Sequence, residues 1–323
     1  MLLDVQSLSC SIRQKQIFTG VSFGVNPGEL VCIEGSSGRG KSSLLFGIRG
    51  ISHEEKVYAG RVLFKGSPLN AAARQHMGLV LQNPHSQMIS TLVREELMLG
   101  VEESPARKAY VNQRFQCTVD LLGLGALLDK SVRTLSSGQK HLVAIGAAGM
   151  IPFDLFLMDE PFLYLDPGNI SKVLDYISYL RNKGAGVVLT SHPGIISSRQ
   201  VDRVVPIEYS KPMPPLPVVP ISPDSLSVAP EQRRLHLHRV GYGYEGNPLL
   251  AVDLSLNLTG GKEIWIEGVN GSGKTTLLHI LSGDREPDKG RVERTGAGGP
   301  CRVMTLTQNP DRHFFEPTVQ REM

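Results

Sequence analysis

The feature that most constrains this chain is that it repeats itself. Gly35-Ser-Ser-Gly-Arg-Gly-Lys-Ser42 returns as Gly268-Val-Asn-Gly-Ser-Gly-Lys-Thr275, 233 residues later. Leu81-Gln-Asn-Pro84 returns as Thr307-Gln-Asn-Pro310, at an offset of 226. Two motifs in the same order at nearly the same offset indicate a duplicated domain. Between the copies runs Pro206 to Pro230, which contains Met213-Pro-Pro-Leu-Pro-Val-Val-Pro220. Proline at that density breaks helices and sheets and gives an extended, semi-stiff tether. The expected layout is a complete domain over 1–205, a linker over 206–232 and a second domain beginning in 233–323.

Within the first copy, Leu30-Val-Cys-Ile-Glu34 is a short apolar run entering a glycine turn, and a helix is expected from Ser43 to Arg49. Asp154-Leu-Phe-Leu-Met158 and Val187-Val-Leu-Thr190 have the unbroken apolar character of strands buried on both faces. Strands alternating with helices predict an α/β, doubly wound parallel-sheet core. The stretch from Gln87 to Met150 has helical spacing, so a helical subdomain is expected as an insertion in that core. The longest apolar run, Leu142 to Met158, is interrupted by Pro152 and Asp154 and reads as a buried helix followed by a buried strand, not a membrane span. Any membrane role would come through a partner. The four cysteines are scattered, with no paired spacing, as expected of reduced thiols in a cytosolic protein. A net charge of +3 gives no argument for a nucleic-acid partner.

The glycine-rich turn between strand and helix is a phosphate loop. Its amides and the helix N-terminus face an anion, and glycines let the backbone approach closely. Residues Gly35, Ser36, Ser37, Gly38, Arg39 and Gly40 form the loop. Lys41 would reach the β- and γ-phosphates, Ser42 would bind Mg²⁺ and Ser43 would support the α-phosphate of a bound ATP. The second loop offers Gly268, Asn270, Gly271, Ser272, Gly273, Lys274, Thr275 and Thr276, with Thr275 in the metal position. Downstream, the apolar strand ending in Asp159-Glu160-Pro161 delivers Asp159 to a strand tip, where it can hold Mg²⁺ through water. Glu160 is then placed to orient and deprotonate an attacking water. Leu135-Ser-Ser-Gly-Gln139 alone reads as a helix N-cap, and Ser191-His192 alone as a surface turn.

Taken together, the phosphate loop, Gln82, Leu135-Ser-Ser-Gly-Gln139, Asp159-Glu160-Pro161, Leu165-Asp166 and His192 resemble the ordered motif set of the ABC ATPases, a P-loop NTPase family. The resemblance covers the first copy almost end to end and the second from about Leu235. It implies that two cassettes pair head to tail, each ATP lying between one phosphate loop and the opposite signature. It further implies that Gln82 sits at the Mg²⁺ and the attacking water and that His192 contacts the γ-phosphate. Ser136, Gly138 and Gln139 would belong to the signature presented to the other cassette, and Asp166 to the loop coupling the two sites. Gln308 would repeat Gln82 at the second metal. The second copy offers Tyr242 and Tyr244, of which Tyr244 would either stack on adenine or sit as a half-buried strand tyrosine, whereas the first copy has no aromatic near Ile12.

A finer resemblance is to importers of the energy-coupling-factor or cobalt type. Their ATPases follow the Q-loop glutamine with Asn-Pro and a short helix that grips a transmembrane coupling protein, as Gln82-Asn-Pro-His-Ser-Gln87 and Thr91-Leu-Val-Arg-Glu-Glu96 would here. It implies a peripheral ATPase on the cytoplasmic face of the membrane, partnered by that coupling protein, a substrate-binding membrane subunit and a second ATPase cassette. The other reading is a soluble tandem factor acting on ribosomes or nucleic acid; such proteins join their cassettes by a long charged helix, unlike this proline-rich linker. Two departures stand out. Ser137 replaces the usual signature glycine, and Met323 falls just after the second Q-loop. On this reading the second cassette is incomplete and hydrolysis by the chain alone is impaired. Trp265, before the second phosphate loop, is expected in a core strand.

Overall fold

The structure, a computed structural model, describes residues 1–13, 15–51, 56–83, 87–101, 108–196, 200–207, 234–243, 251–260, 263–268, 272–296, 301 and 303–306. The chain divides into two units, Met1–Pro214 and Pro215–Met323, each with its own contacts.

Unit 1 holds two sheets. The first is antiparallel and comprises β1 (Leu3–Ile12), β2 (Lys15–Val25), β4 (Lys56–Phe64) and β5 (Ser67–Pro68), in the order β2-β1-β4-β5. The second is parallel throughout and comprises β3 (Leu30–Glu34), β6 (Met77–Val80), β7 (Leu155–Met158), β8 (Gly186–Ser191) and β9 (Arg203–Pro206), in the order β6-β7-β8-β3-β9. Every residue of β7 and β8 is buried, as are Leu30 to Ile33 of β3. That two-sided burial is why these segments read as unbroken apolar runs rather than alternating ones. One core lies between the two sheets and includes Leu3, Phe18, Ile33, Leu44, Leu157 and Val188. The other lies on the opposite face of the parallel sheet, beneath the helices.

After α1 (Lys41–Arg49) and α2 (Ala71–Gln75), the chain leaves β6, makes α3 (Val93–Met98), α4 (Lys108–Leu122) and α5 (Ser137–Met150), and returns as β7 beside β6. The helical insertion expected from the sequence is therefore present, closed at its base by a strand pair. Two contacts fix α5. At its start Ser136 Oγ accepts the Gln139 amide at 3.3 Å while Gln139 Oε1 accepts the Ser136 amide at 3.0 Å, a reciprocal capping box. At its end the buried Arg114 guanidinium donates to the Gly149 carbonyl at 2.6 Å and the Ile151 carbonyl at 3.4 Å, and lies over the Phe153 ring. The last carbonyls of a helix have no intrahelical donors, and a cation there also complements the helix dipole. Gly149 has no room for a side chain, since a Cβ would lie 2.1 Å from the Tyr176 hydroxyl on α6 (Pro167–Asn182).

Unit 2 places β10 (Arg234–Tyr242) between β11 (Ala251–Thr259) and β12 (Lys289–Thr295). Leu237, Val240 and Tyr242 pack on Leu277, Ile280 and Leu281 of α7 (Lys274–Ser282). The expectation for Trp265 is corrected here: residues 263–268 form no strand, and Trp265 is 87% exposed. In unit 1 the equivalent segment, β3, is buried because β8 and β9 flank it. Among the described residues of unit 2 no such flanking strands occur.

Candidate functional site

The first site begins where β3 turns into α1 (Lys41–Arg49). Gly38 and Gly40 have φ of +75° and +85°, a region that side-chain-bearing residues disfavour. A Cβ on Gly40 would also come within 2.5 Å of Ile17 Cγ2 on β2. The turn wraps the Lys41 side chain back on itself, and Nζ donates to the Gly35 carbonyl at 2.7 Å. Lys41 is only 4% exposed. The first-turn amides of α1 have no intrahelical acceptors and the helix dipole adds positive potential, so the turn is built to receive an anion.

Sheet order brings the other candidates to this turn. β6, β7, β8 and β3 lie side by side and parallel, so the residues just beyond their C-terminal ends share one edge of the sheet. Those residues are Gln82, Asp159 with Glu160, His192 and the glycine turn. They meet on one carboxylate. Glu160 Oε1 lies 3.1 Å from Lys41 Nζ and 3.1 Å from His192 Nε2, and Glu160 Oε2 accepts from Gln82 Nε2 at 3.3 Å. Glu160 reaches this position with φ of +48°, a sparsely populated conformation for a residue with a Cβ. Its amide donates to Thr190 Oγ1 at 2.8 Å.

Thr190 was not singled out from sequence, where it reads as one more residue of a buried strand. The structure makes it the hinge pin of the site. Met158 pairs with Leu189, so the next residues along, Asp159 and Thr190, are neighbours, and Thr190 Oγ1 donates to Asp159 Oδ1 at 2.7 Å. Asp159 is 2% exposed. Burial raises its pKa, and Glu160 adds to the rise; hydrogen bonds from Ser42 and Thr190 and the nearby Lys41 oppose it. The Ser42 hydroxyl and the Asp159 carboxylate are thus adjacent oxygen donors, the ligand type a hard cation such as Mg²⁺ requires. The site fits a polyphosphate with its metal.

The sequence matches the ABC transporter family over residues 18–163 and 251–310, more than half of the chain. The chain belongs to the ABC transporter ATPase family. Members bind ATP, generally with Mg²⁺, and generally work with transmembrane components. A putative ABC transporter ATP-binding protein of Treponema denticola is 28% identical, over 95% of this chain and 70% of its own length. A putative HMP/thiamine import ATP-binding protein of Bacillus subtilis is 25% identical, over all of this chain and 70% of its own. Among solved structures, an ATP-binding subunit of an ABC transporter matches with a TM-score of 0.55 and 27% identity, covering 64% of this chain and 86% of its own. The protein cbiO1 from Clostridium perfringens, part of the ABC transporter complex cbiONQ, matches in fold with a TM-score of 0.56 and 24% identity, covering 64% of this chain and 84% of its own.

Of the residues expected to form the signature, Ser136 and Gln139 cap α5 and Gly138 lies in its first turn. Among the described residues no hydrogen bond or ion pair joins them to Lys41, Asp159, Glu160 or His192. Asp166 caps α6, accepting from the Asn169 amide at 2.9 Å. The second loop repeats the lysine fold-back, with Lys274 Nζ donating to the Gly268 carbonyl at 2.7 Å and Gly273 at φ +89°. Ser272, Thr275 and Thr276 lie at this turn and the start of α7. Tyr244, Asn270, Gly271 and Gln308 lie outside the described residues.

In the first turn and a half of α5, His141 is fully buried and, among the described residues, neither ring nitrogen closes a hydrogen bond. Burial pulls its pKa down to about 4, outweighing the nearby Pro161 backbone, which acts in the opposite direction. An unfolded chain regains the ordinary value near 6.5, so between those values the unfolded state binds the extra proton. Stability is then lost as pH falls from about 6.5 towards 4, by about 3 kcal/mol for this one group. Urea titrations at pH 7 and pH 5 should show about 2 kcal/mol of that loss, and His141→Gln should flatten it; an equal loss in the variant would assign the acid sensitivity elsewhere.

Proposed function

We propose that the chain is an ATP-hydrolysing subunit that powers uptake by a membrane importer of the energy-coupling-factor type. The supporting observation is the meeting of Lys41, His192 and Gln82 on the Glu160 carboxylate, beside the Ser42–Asp159 pair. Lys41 and the loop amides of Gly35 to Ser43 would hold the phosphates, with His192 at the terminal one. Mg²⁺, held by Ser42 with Asp159 and Gln82, would neutralise charge on the transferred group. Glu160 would take the proton of the attacking water. In this reading residues 1–205 are one cassette, 206–232 a linker, and 233–323 open a second with its own nucleotide loop at Lys274 and Thr275.

Lys41→Ala should remove most of the affinity for Mg²⁺-ATP, because the ammonium is the one buried cation of the loop. Titrating the full chain with a fluorescent ATP analogue tests this. Unchanged affinity would sink the assignment, and Lys274→Ala distinguishes binding at the second loop.

The link to a membrane partner rests on the segment after Gln82. No helix among the described residues is long and apolar enough to cross a membrane. Gln87 ties this segment to the sheet, its side chain accepting from the Leu81 amide at 2.8 Å and donating to the Leu79 carbonyl at 3.2 Å. Glu96 is buried and accepts the Ile89 and Ser90 amides at 2.9 and 2.7 Å. The loop so held presents Ile89, 78% exposed, and Arg94, which among the described residues makes one ion pair, a 3.4 Å contact to the exposed Asp129. Glu95 instead caps α3, accepting from Thr91 Oγ1 and the Leu92 amide, so its reversal would disturb the helix itself. Ile89→Asp with Arg94→Glu should abolish co-purification with the coupling protein while leaving ATP binding intact. Retained co-purification would place the partner contact elsewhere on the chain.

A further inference from the structure

The face of the unit-2 sheet that turns away from α7 carries a cluster the nucleotide site does not use. His236 and His238 are two residues apart on β10, so both imidazoles leave the same face, while Leu237 between them packs into the core. Glu293 on β12 pairs directly with His236. One ligand atom from each of the three lies within 4.8 Å of the others. The two rings approach to 3.8 Å between centroids, and His238 Nε2 lies 3.3 Å from Glu293 Oε2. That nitrogen is buried and closes no hydrogen bond among the described residues. The other carboxylate oxygen, Oε1, is taken by Arg291 Nη2 at 3.0 Å, which leaves Oε2 directed at the histidines.

We propose that His236, His238 and Glu293 form a three-ligand site for a divalent transition-metal ion such as Zn²⁺. Metal–nitrogen and metal–oxygen bonds of about 2.0–2.2 Å put tetrahedral ligand atoms about 3.3 Å apart. The His238–Glu293 separation already matches, and rotation of His236 about its side-chain torsions brings in the third corner. Two imidazoles and one carboxylate suit Zn²⁺, Co²⁺ or Ni²⁺ and disfavour Mg²⁺, which takes oxygen ligands. The nucleotide sites would therefore not compete for the same ion.

Unit 1 supplies an internal control. Its β1–β4 pair carries the same bulge, with Ser7 at φ +47° facing Gly60, as Arg239 at φ +48° faces Gly290. In that register Asp4 and Gln6 occupy the two histidine positions and Leu63 the glutamate position. Gln6 donates to Asp4 at 2.8 Å there, and the ligand set is lost. The same backbone thus offers three metal donors in one unit and a hydrogen-bonded amide in the other.

The test is titration of the full chain with Zn²⁺ and with Co²⁺, in excess Mg²⁺. One equivalent should bind, and Co²⁺ should show the weak visible bands of nitrogen and oxygen ligands without an intense thiolate charge-transfer band. Losing a ligand should cost at least the upper end of what losing an outer-shell partner costs, about 100-fold in affinity. His238→Asn and Glu293→Gln should both show this; each lies on the solvent-facing side of the sheet, and circular dichroism checks that the fold is kept. Arg291→Gln should bind more tightly, since it removes a cation and frees Oε1. A thiolate spectrum, affinity unaffected in His238→Asn, or no tightening in Arg291→Gln would overturn the site.

Discussion

Glu160→Gln is expected to lower ATP turnover at the first site about 10²–10⁴-fold, the range for losing a positioned general base. An amide cannot accept the proton of the attacking water, so the chemical step fails while the cradle stays intact. Binding should move in the other direction. Lys41 and His192 each spend one contact, at 3.1 Å, on the Glu160 carboxylate. With an uncharged amide there, both are released to phosphate oxygens. ATP affinity should be equal to or higher than that of the parent chain, and single-turnover hydrolysis should fall with steady-state turnover. Near-normal hydrolysis would assign the base elsewhere. A large loss of ATP affinity would mean that Glu160 organises the loop and is not a reactant.

Ser136→Arg is expected to abolish hydrolysis by the 323-residue polypeptide without changing its ATP affinity. If the signature completes a site on an opposing cassette, the Lys41 site needs Ser136 and Gly138 from another copy, because this polypeptide holds one such signature. Two chains would then pair first cassette to first cassette about a two-fold axis. Specific activity should rise steeply with protein concentration. Mixing Ser136→Arg with Lys41→Ala chains should restore one functional site per pair. Activity independent of concentration, or full activity in Ser136→Arg alone, would show that the site closes within one chain.

The parallel core was legible because burial on both faces writes itself into composition. Leu30–Ile33 and Leu155–Met158 contain no polar residue, and a glycine turn or an Asp-Glu pair marks where each strand ends. Once the strands are parallel, the motif residues that follow them share an edge, so placing Asp159, Glu160 and His192 together needed no side-chain detail. The misses have a common cause: they concern residues whose roles depend on neighbours distant in sequence. Thr190 gains its role from the register of β7 on β8. Glu95, one residue of the expected gripping helix, caps that helix. Trp265 looked like core, yet burial of a strand depends on flanking strands that the segment itself does not encode. His141 gave no sign that its nitrogens would be sealed from water.

The two clamps on α5 have a mechanical consequence. Its 14 residues span about 20 Å as a stiff rod. The capping box holds one end to the signature, and Arg114 holds the other to the turn that feeds β7 through Phe153. If Ser136 meets the nucleotide of an opposing cassette, a push on it finds little compliance: Gly149 sits against Tyr176, and Arg114 holds the last carbonyls. The displacement would travel along the rod to the root of the strand whose tip carries Asp159 and Glu160. The same rod also rests on α3, so the thrust would be shared with the loop that holds Ile89 and Arg94.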